Sequence, residues 1–204
     1  MYLTKEPAGI ESVAFEENTL KIRCGCRTFE RSITSGQKRP MPVPGKMVIE
    51  LFSPLSKVIA VRIKNHNVTP RAKHSTMFDT RPAGTGEVVQ TESEIIFKSG
   101  GLEARIPKSG DFTIRFYYEG TLLTYGNPDE GIVYKTNAGA GSDYRVDASS
   151  SLIGASMMMF HNEKIYGLGG SASSIVRNGS SVRTNRCGRL NGTEGIPFYI
   201  STSG

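Results

Sequence analysis

Three patterns in this sequence carry residue types that do chemistry in other proteins. The first is Gly167-Leu168-Gly169-Gly170-Ser171-Ala172, which spells G-x-G-x-x-A, the glycine fingerprint of dinucleotide sites. Those glycines work only between a strand and a helix whose N-terminus holds the pyrophosphate. Lys164-Ile165-Tyr166 reads as the strand, but Asn178-Gly179 is a turn signal that ends the run Ser173-Ser174-Ile175-Val176-Arg177. No crossover helix fits before that break, and SVRTNRCGRLNG offers no acidic residue on a second strand to hold a ribose. The expectation is therefore an accidental match and no dinucleotide cofactor.

The second pattern is Cys24-Gly25-Cys26, with C-x-C spacing and no histidine near in sequence. On a strand, residues two apart face the same way, so a pair of semi-buried thiols is expected rather than a zinc site. With Cys187 the cysteine count is odd and small, which argues against a disulfide framework. The third is Met157-Met158-Met159-Phe160 beside His161, a soft-metal mimic that reads better as gap-filling core. His66, His74 and His161 sit in polar, loop-like contexts, and no pair among the 19 acidic residues stands in a motif that favours acid–base catalysis. No catalytic residue, metal or cofactor is expected within these 204 residues.

The elements that must position anything functional are strands. Leu20, Ile22 and Cys24 alternate with polar residues, and residues 47–53 (MVIELFS) and 57–63 (KVIAVRI) are β-branched runs separated by Ser-Pro-Leu-Ser. EIIFKSGGLEARI, FTIRFYYEGTLLTY and SLIGASMMMF follow, with Ser99-Gly100-Gly101 and Glu119-Gly120 as hairpin turns. No segment keeps helical periodicity for three turns, and the best helical candidate is a short one near 171–176. The pattern predicts an all-β fold, an antiparallel β-sandwich with little helix, as one domain over 1–204. Within it, 1–45 reads as an N-terminal hairpin plus a Pro-rich connector (Pro40 to Gly45), 46–204 as the main sandwich, and 126–143 as a long glycine-rich loop.

The net charge of +6 is spread thinly, with no dense basic run beyond QKR at 37–39 and no interleaved aromatics, so nucleic acid is not an expected partner. No apolar run is long enough to span a membrane and MYLTKEPAGIE lacks a secretory pattern, so a cytoplasmic location and no membrane partner are expected.

An ordered series runs through the C-terminal third: Tyr166-Gly167-Leu168-Gly169, then Val176-Arg177-Asn178-Gly179, then Asn185-Arg186, then Ile196-Pro197-Phe198-Tyr199-Ile200. Together with 48–63, 92–106 and 111–122, this series resembles the N-terminal, galactose-mutarotase-like β-sandwich domain of glycoside hydrolase family 31, in particular its bacterial α-xylosidase branch. The resemblance covers the chain from about residue 46 onward.

The resemblance implies a retaining α-glycosidase of α-xylosidase or α-glucosidase type. Its catalytic aspartates would lie on a (β/α)8 barrel that follows this domain in the same polypeptide and needs roughly 250 residues of its own. It also implies that a sandwich loop reaches the sugar pocket carrying Asn-x-Asp; the matching positions are Asn185, Arg186 and Cys187. A thiol is a poor hydrogen-bond acceptor, so Cys187 marks a departure from that pattern, as does Gly170 where a glutamate usually follows YGLG. An α-linked oligosaccharide or xyloside is the implied substrate, and a homo-oligomer stays open. The rival reading is a free-standing carbohydrate-binding module, which would need exposed aromatic platforms from the eight tyrosines, since tryptophan is absent. Tyr166, Leu168, Ile196, Phe198 and Ile200 alternate as sandwich core would.

Overall fold

The computed structural model describes residues 2–32, 35–65, 82, 84, 86–127, 131–137, 152–169, 175–180 and 198–203. Thirteen strands and no helix occur among them. The chain divides into two compact units, Met1–Met158 and Met159–Gly204.

The first unit holds two antiparallel sheets. One has six strands in the order β11-β10-β1-β2-β3-β4. These are β1 (Tyr2–Glu16), β2 (Thr19–Arg31), β3 (Lys38–Phe52), β4 (Ala60–Asn65), β10 (Ile132–Asn137) and β11 (Leu152–Ala155). The other is a five-stranded meander of β5 (Gly86–Gln90), β6 (Glu94–Ser99), β7 (Leu102–Pro107), β8 (Arg115–Tyr118) and β9 (Thr121–Tyr125). Period-two alternation selects what goes inward. Leu20, Ile22 and Cys24 lie opposite Leu51, Ile49 and Met47, and all six are buried. From the meander, Ile95 opposes Ile106 and Phe97 opposes Ala104, and the same apolar cluster contains both sets. One shared core between two sheets is the sandwich that the alternation predicts, with about 1.5–3 kcal/mol from each fully buried large apolar side chain. Where β3 and β6 end, Ser53 Oγ and Ser99 Oγ lie 2.8 Å apart, a buried hydroxyl pair that ties the sheets together.

The turns follow local chemistry. Glu119 and Gly120, at φ 48° and 83°, form a two-residue hairpin loop between the paired residues Tyr118 and Thr121. Glu17 and Asn18, at 49° and 57°, do the same between Glu16 and Thr19.

Several local expectations are corrected. Pro40 to Gly45 is not a connector but the first half of β3, paired with β2. Proline is tolerated at sheet edges and bulges because it lacks a donor, and both conditions hold. Among the described residues β4 pairs only with Met47–Phe52, and the register breaks between Cys26 and Thr28, opposite Pro42 to Pro44. Thr28 Oγ1 donates to Val43 O at 2.7 Å inside that bulge. The hairpin β1–β2 lies in the middle of the six-stranded sheet, not outside it. The glycine-rich stretch 126–143 contains β10, because Ile132, Val133 and Tyr134 are a buried β-forming run. Met157 to Phe160 is not core: these four side chains are 36–44% exposed. The chain there runs along the edge of the meander, with Met157 bridged to Gly126 and Met158 N–H donating to Tyr125 O, so its side chains are not held between sheets. Of the short helix considered near 171–176, only Ile175 and Val176 are described; they form a bend and a bridge.

Candidate functional site

The second unit is built on β12 (Ile165–Gly167) and β13 (Tyr199–Ser201), paired antiparallel with Tyr166 opposite Ile200. β12 runs into Gly167, Leu168 and Gly169, at φ 108°, 64° and 91°. Glycine is required at the first of these: a Cβ on Gly167 would stand 2.6 Å from Phe198 O. Leu168 takes a left-handed conformation that costs an L-residue about 1 kcal/mol, and its N–H donates to Phe198 O at 2.7 Å.

After these glycines the chain doubles back along β12. Val176 bridges Tyr166 in antiparallel fashion, and Arg177 N–H donates to Ile165 O at 2.8 Å. A dinucleotide fingerprint needs a crossover helix that leads to a parallel strand, whereas Val176 lies antiparallel to Tyr166.

Two side chains lock the return. Arg177 is only 7% exposed, and its guanidinium donates from Nε to Gly167 O at 3.0 Å and from Nη2 to Gly169 O at 2.9 Å. Asn178 behaves as a short piece of strand: its Oδ1 accepts from Ile165 N–H at 2.9 Å, and its Nδ2 donates to Glu163 O at 2.8 Å. Glu163, 8% exposed, accepts from Phe160 N–H at 2.7 Å and from the Ser201 hydroxyl. None of these roles was legible in sequence. Arg177-Asn178-Gly179 was visible as part of a series, but the acceptors it serves become neighbours only through the chain reversal.

Asn185, Arg186 and Cys187, the residues expected to meet substrate, lie outside the described residues, as do Gly170, Ser171, Ala172 and Ile196. Phe198 and Ile200, expected in the core, are 60% and 55% exposed, because β13 is a short strand whose only described sheet partner is β12.

Two other features of the first unit bear on chemistry. Cys24 is buried and Cys26 half-buried, both free; burial pushes the Cys24 thiol up to about 12 and the Cys26 thiol up to about 11, so neither is a nucleophile at neutral pH. A groove of about 120 Å³ is lined by apolar side chains such as Ile63, Phe112, Ile114, Phe116 and Met157, without a titratable group among its described walls. Among the described residues no cluster of histidine, cysteine and carboxylate side chains fits a metal ion.

Comparison with known proteins agrees with the resemblance. The family model for the glycosyl hydrolase 31 N-terminal galactose mutarotase-like domain matches residues 46–204. The chain is 27% identical over 165 residues to the alpha-xylosidase XylQ of Lactiplantibacillus pentosus, covering 78% of this chain and 20% of that protein. Its fold is similar to the cycloalternan-forming enzyme of Listeria monocytogenes solved with a pentasaccharide substrate, at TM-score 0.67 and 14% identity, over 100% of this chain and 17% of that one. It is also similar to a GH31 dextranase of Flavobacterium johnsoniae complexed with isomaltotriose, at TM-score 0.62 and 14% identity, over 97% of this chain and 22% of the dextranase. The chain thus spans about a fifth of the length of these relatives. With two antiparallel sheets around one core and the family model matched from residue 46 to 204, the chain belongs to the glycosyl hydrolase 31 N-terminal galactose mutarotase-like domain family.

Proposed function

We propose that this chain serves as the non-catalytic N-terminal domain of a family 31 retaining α-glycosidase of α-xylosidase or α-glucosidase type. It supports a catalytic (β/α)8 barrel of the same polypeptide and contributes Asn185, Arg186 and Cys187 to the pocket for an α-linked sugar. The observation that carries this reading is the family match over 46–204, joined to the 27% identity with an alpha-xylosidase of which the match covers 20%. The local chemistry supports it. Arg177 braces the Gly167–Gly169 turn, where the chain leaves β12, Asn178 pairs with Ile165 at the start of β12, and Phe198 is tied to the turn through Leu168. The two described ends of the 170–197 stretch are therefore held together by hydrogen bonds.

The test uses the native polypeptide that carries these residues. Asn185→Ala should raise KM for p-nitrophenyl α-xyloside about fivefold or more, with kcat changed less, and Cys187→Ala, which removes only a weak acceptor, should raise it less than Asn185→Ala does. A buried hydrogen bond to a sugar hydroxyl is worth about 1 kcal/mol, which is that factor. Unchanged kinetics and substrate preference in both variants would reduce residues 185–187 to a connector.

A further inference from the structure

The turn at Asn178-Gly179 joins features that favour a covalent change of the asparagine with others that prevent it while the second unit stays closed. Both residues are exposed, so water reaches them. Glycine carries no Cβ to shield its own backbone nitrogen, and that nitrogen can attack the carbonyl carbon of the preceding side chain. The attack forms the bond from Gly179 N to Asn178 Cγ and breaks Cγ–Nδ2, and ammonia leaves with the proton that the glycine nitrogen gives up. The product is a cyclic succinimide. Water then adds to one of its two carbonyl carbons and opens the ring, to aspartate when Gly179 N leaves Cγ and to isoaspartate when it leaves the main-chain carbon. No electrons are transferred: an amide and a water give a carboxylate and an ammonium ion.

In the folded second unit this path is shut. Ser180 N–H donates to Arg177 O at 2.9 Å, closing a tight turn with Asn178 and Gly179 at its centre. Gly179 has φ 72° while Asn178 stays at negative φ, which is a type II turn, with ψ of about +120° at the asparagine position. Ring closure needs Cβ and the Gly179 nitrogen eclipsed about the Asn178 Cα–C bond, and a type II turn rotates the two far apart. The side chain is held as well. Asn178 Oδ1 accepts from Ile165 N–H at 2.9 Å and Nδ2 donates to Glu163 O at 2.8 Å, so Cγ cannot swing toward Gly179 without breaking both bonds. Arg177 fixes the residue before, with its N–H on Ile165 O and its guanidinium on Gly167 O and Gly169 O.

We propose that Asn178 is a deamidation site gated by opening of the second unit. While the unit is closed the amide persists; each opening that frees Asn178 from Ile165 and Glu163 lets the ring close at the rate of an unstructured chain. The change is one-way. In the aspartate product an anionic oxygen replaces Nδ2 and faces Glu163 O, two acceptors where a donor had met one. In the isoaspartate product the main chain runs through Cβ and Cγ and is one atom longer, so the turn and the pairing of Arg177 with Ile165 lose register. Either product leaves the clamp unable to re-form, and the second unit opens more often afterwards. Asn178 thus records how often the unit has opened. The reaction involves no barrel and no sugar, so its test is independent of the proposed role in a glycosidase.

The experiment incubates the 204-residue chain, its Arg177→Ala variant and a synthetic peptide of residues 174–183 at neutral pH and one temperature. Peptide mapping by mass spectrometry follows the loss of Asn178 and separates aspartate from isoaspartate. Conversion in the folded chain should be about tenfold or more slower than in the peptide, with Arg177→Ala recovering most of that difference. Asn178→Asp, the aspartate product made directly, should speed amide exchange from Ile165 to Leu168 about tenfold while exchange in β1 to β4 stays as in the parent. The parent in rising urea gives a reading without substitution, since conversion should climb in step with exchange at Ile165. The proposal is overturned if the folded chain converts as fast as the peptide, or if Asn178 survives in the peptide. It is overturned too if conversion does not follow Ile165 exchange in urea, or if Asn178→Asp exchanges as the parent does.

Discussion

The guanidinium of Arg177 and the amide of Asn178 do for the outer side of β12 what a third strand would do, using side chains instead of backbone. Removing the guanidinium, itself buried, strips the Gly167 and Gly169 carbonyls of a charged donor. Hydrogen bonds to charged groups are worth about 1.5–3 kcal/mol each. Arg177→Ala should therefore destabilise the second unit by about 2–3 kcal/mol, read as faster hydrogen exchange at the Ile165 and Leu168 amides; unchanged exchange would mean that backbone pairing alone holds the turn. Cys24 makes a second residue-scale prediction. Burial pushes its thiol from an ordinary value of 9.0 up to about 12 in the folded chain. Between those values the unfolded chain releases the proton and the folded chain keeps it. Stability from this group is thus complete below about pH 9 and drains away as pH rises toward 12. Replacing Cys24 with alanine should flatten the alkaline limb of the stability profile, and at pH 8 the native thiol should resist iodoacetamide until urea is added. A native Cys24 that alkylates at the rate of a model thiol would contradict this.

At the scale of elements, the loop between β8 and β9 places a poor residue in a demanding position. Both Glu119 and Gly120 have positive φ, the conformation in which Asn-Gly is preferred. Glu119→Asn should raise the stability of the first unit by about 0.5 kcal/mol, and Gly120→Ala should lower it by about 1 kcal/mol. Urea midpoints that move the other way would show that the turn is not set by backbone preference. Most strands were legible because one face of each is wet and the other packed; Leu20, Ile22 and Cys24 show the alternation directly. The misreadings share a cause, since edge position and pairing partner are not local properties. Pro40 to Gly45 looks unfit for a sheet until the register is known, in which the described residues of β4 pair with β3 only from Met47 to Phe52. Met157 to Phe160 and Phe198 to Ile200 look like core until their strands prove to be edges or short ribbons. The candidate site was legible only as an ordered set of motifs. Arg177 serves carbonyls eight and ten residues away, which no spacing rule ties to a charged side chain.

At the scale of the whole molecule, β13 is an edge strand with β12 as its partner among the described strands. Leu168 N–H donates to Phe198 O and Thr202 N–H to Lys164 O, so the even-numbered residues of this stretch face β12. The backbone groups of Tyr199 and Ser201 therefore point away from it, at an edge bearing neither lysine, proline nor bulge to discourage pairing. The side chains beside that edge are apolar and open: Phe198, Tyr199 and Ile200 are 60%, 52% and 55% exposed. Two such edges are self-complementary, since an antiparallel pairing centred on Ile200 sets Tyr199 against Ser201 in both directions. The contact is small. A stable complex buries about 1,200–2,000 Å² in total, and a three-residue strand with its flanking side chains offers well under that, so the dimer should be weak, with a dissociation constant of about 100 µM or above. Sedimentation of the 204-residue chain over a concentration series should show reversible self-association that Ile200→Lys abolishes, because a charge beside the edge must be desolvated to pair. A strictly monomeric parent at high concentration, or an Ile200→Lys variant that associates as before, would remove β13 as the contact. The same preparation should not turn over p-nitrophenyl α-xyloside or α-glucoside. Retaining hydrolysis needs two carboxyl groups about 5 Å apart across the scissile bond, while the most buried carboxylates among the described residues, Glu6, Glu50 and Glu163, are committed to Lys38, to Arg62 and Lys64, and to Ser201. Measurable turnover by the purified chain would place catalysis inside these strands and overturn the non-catalytic reading.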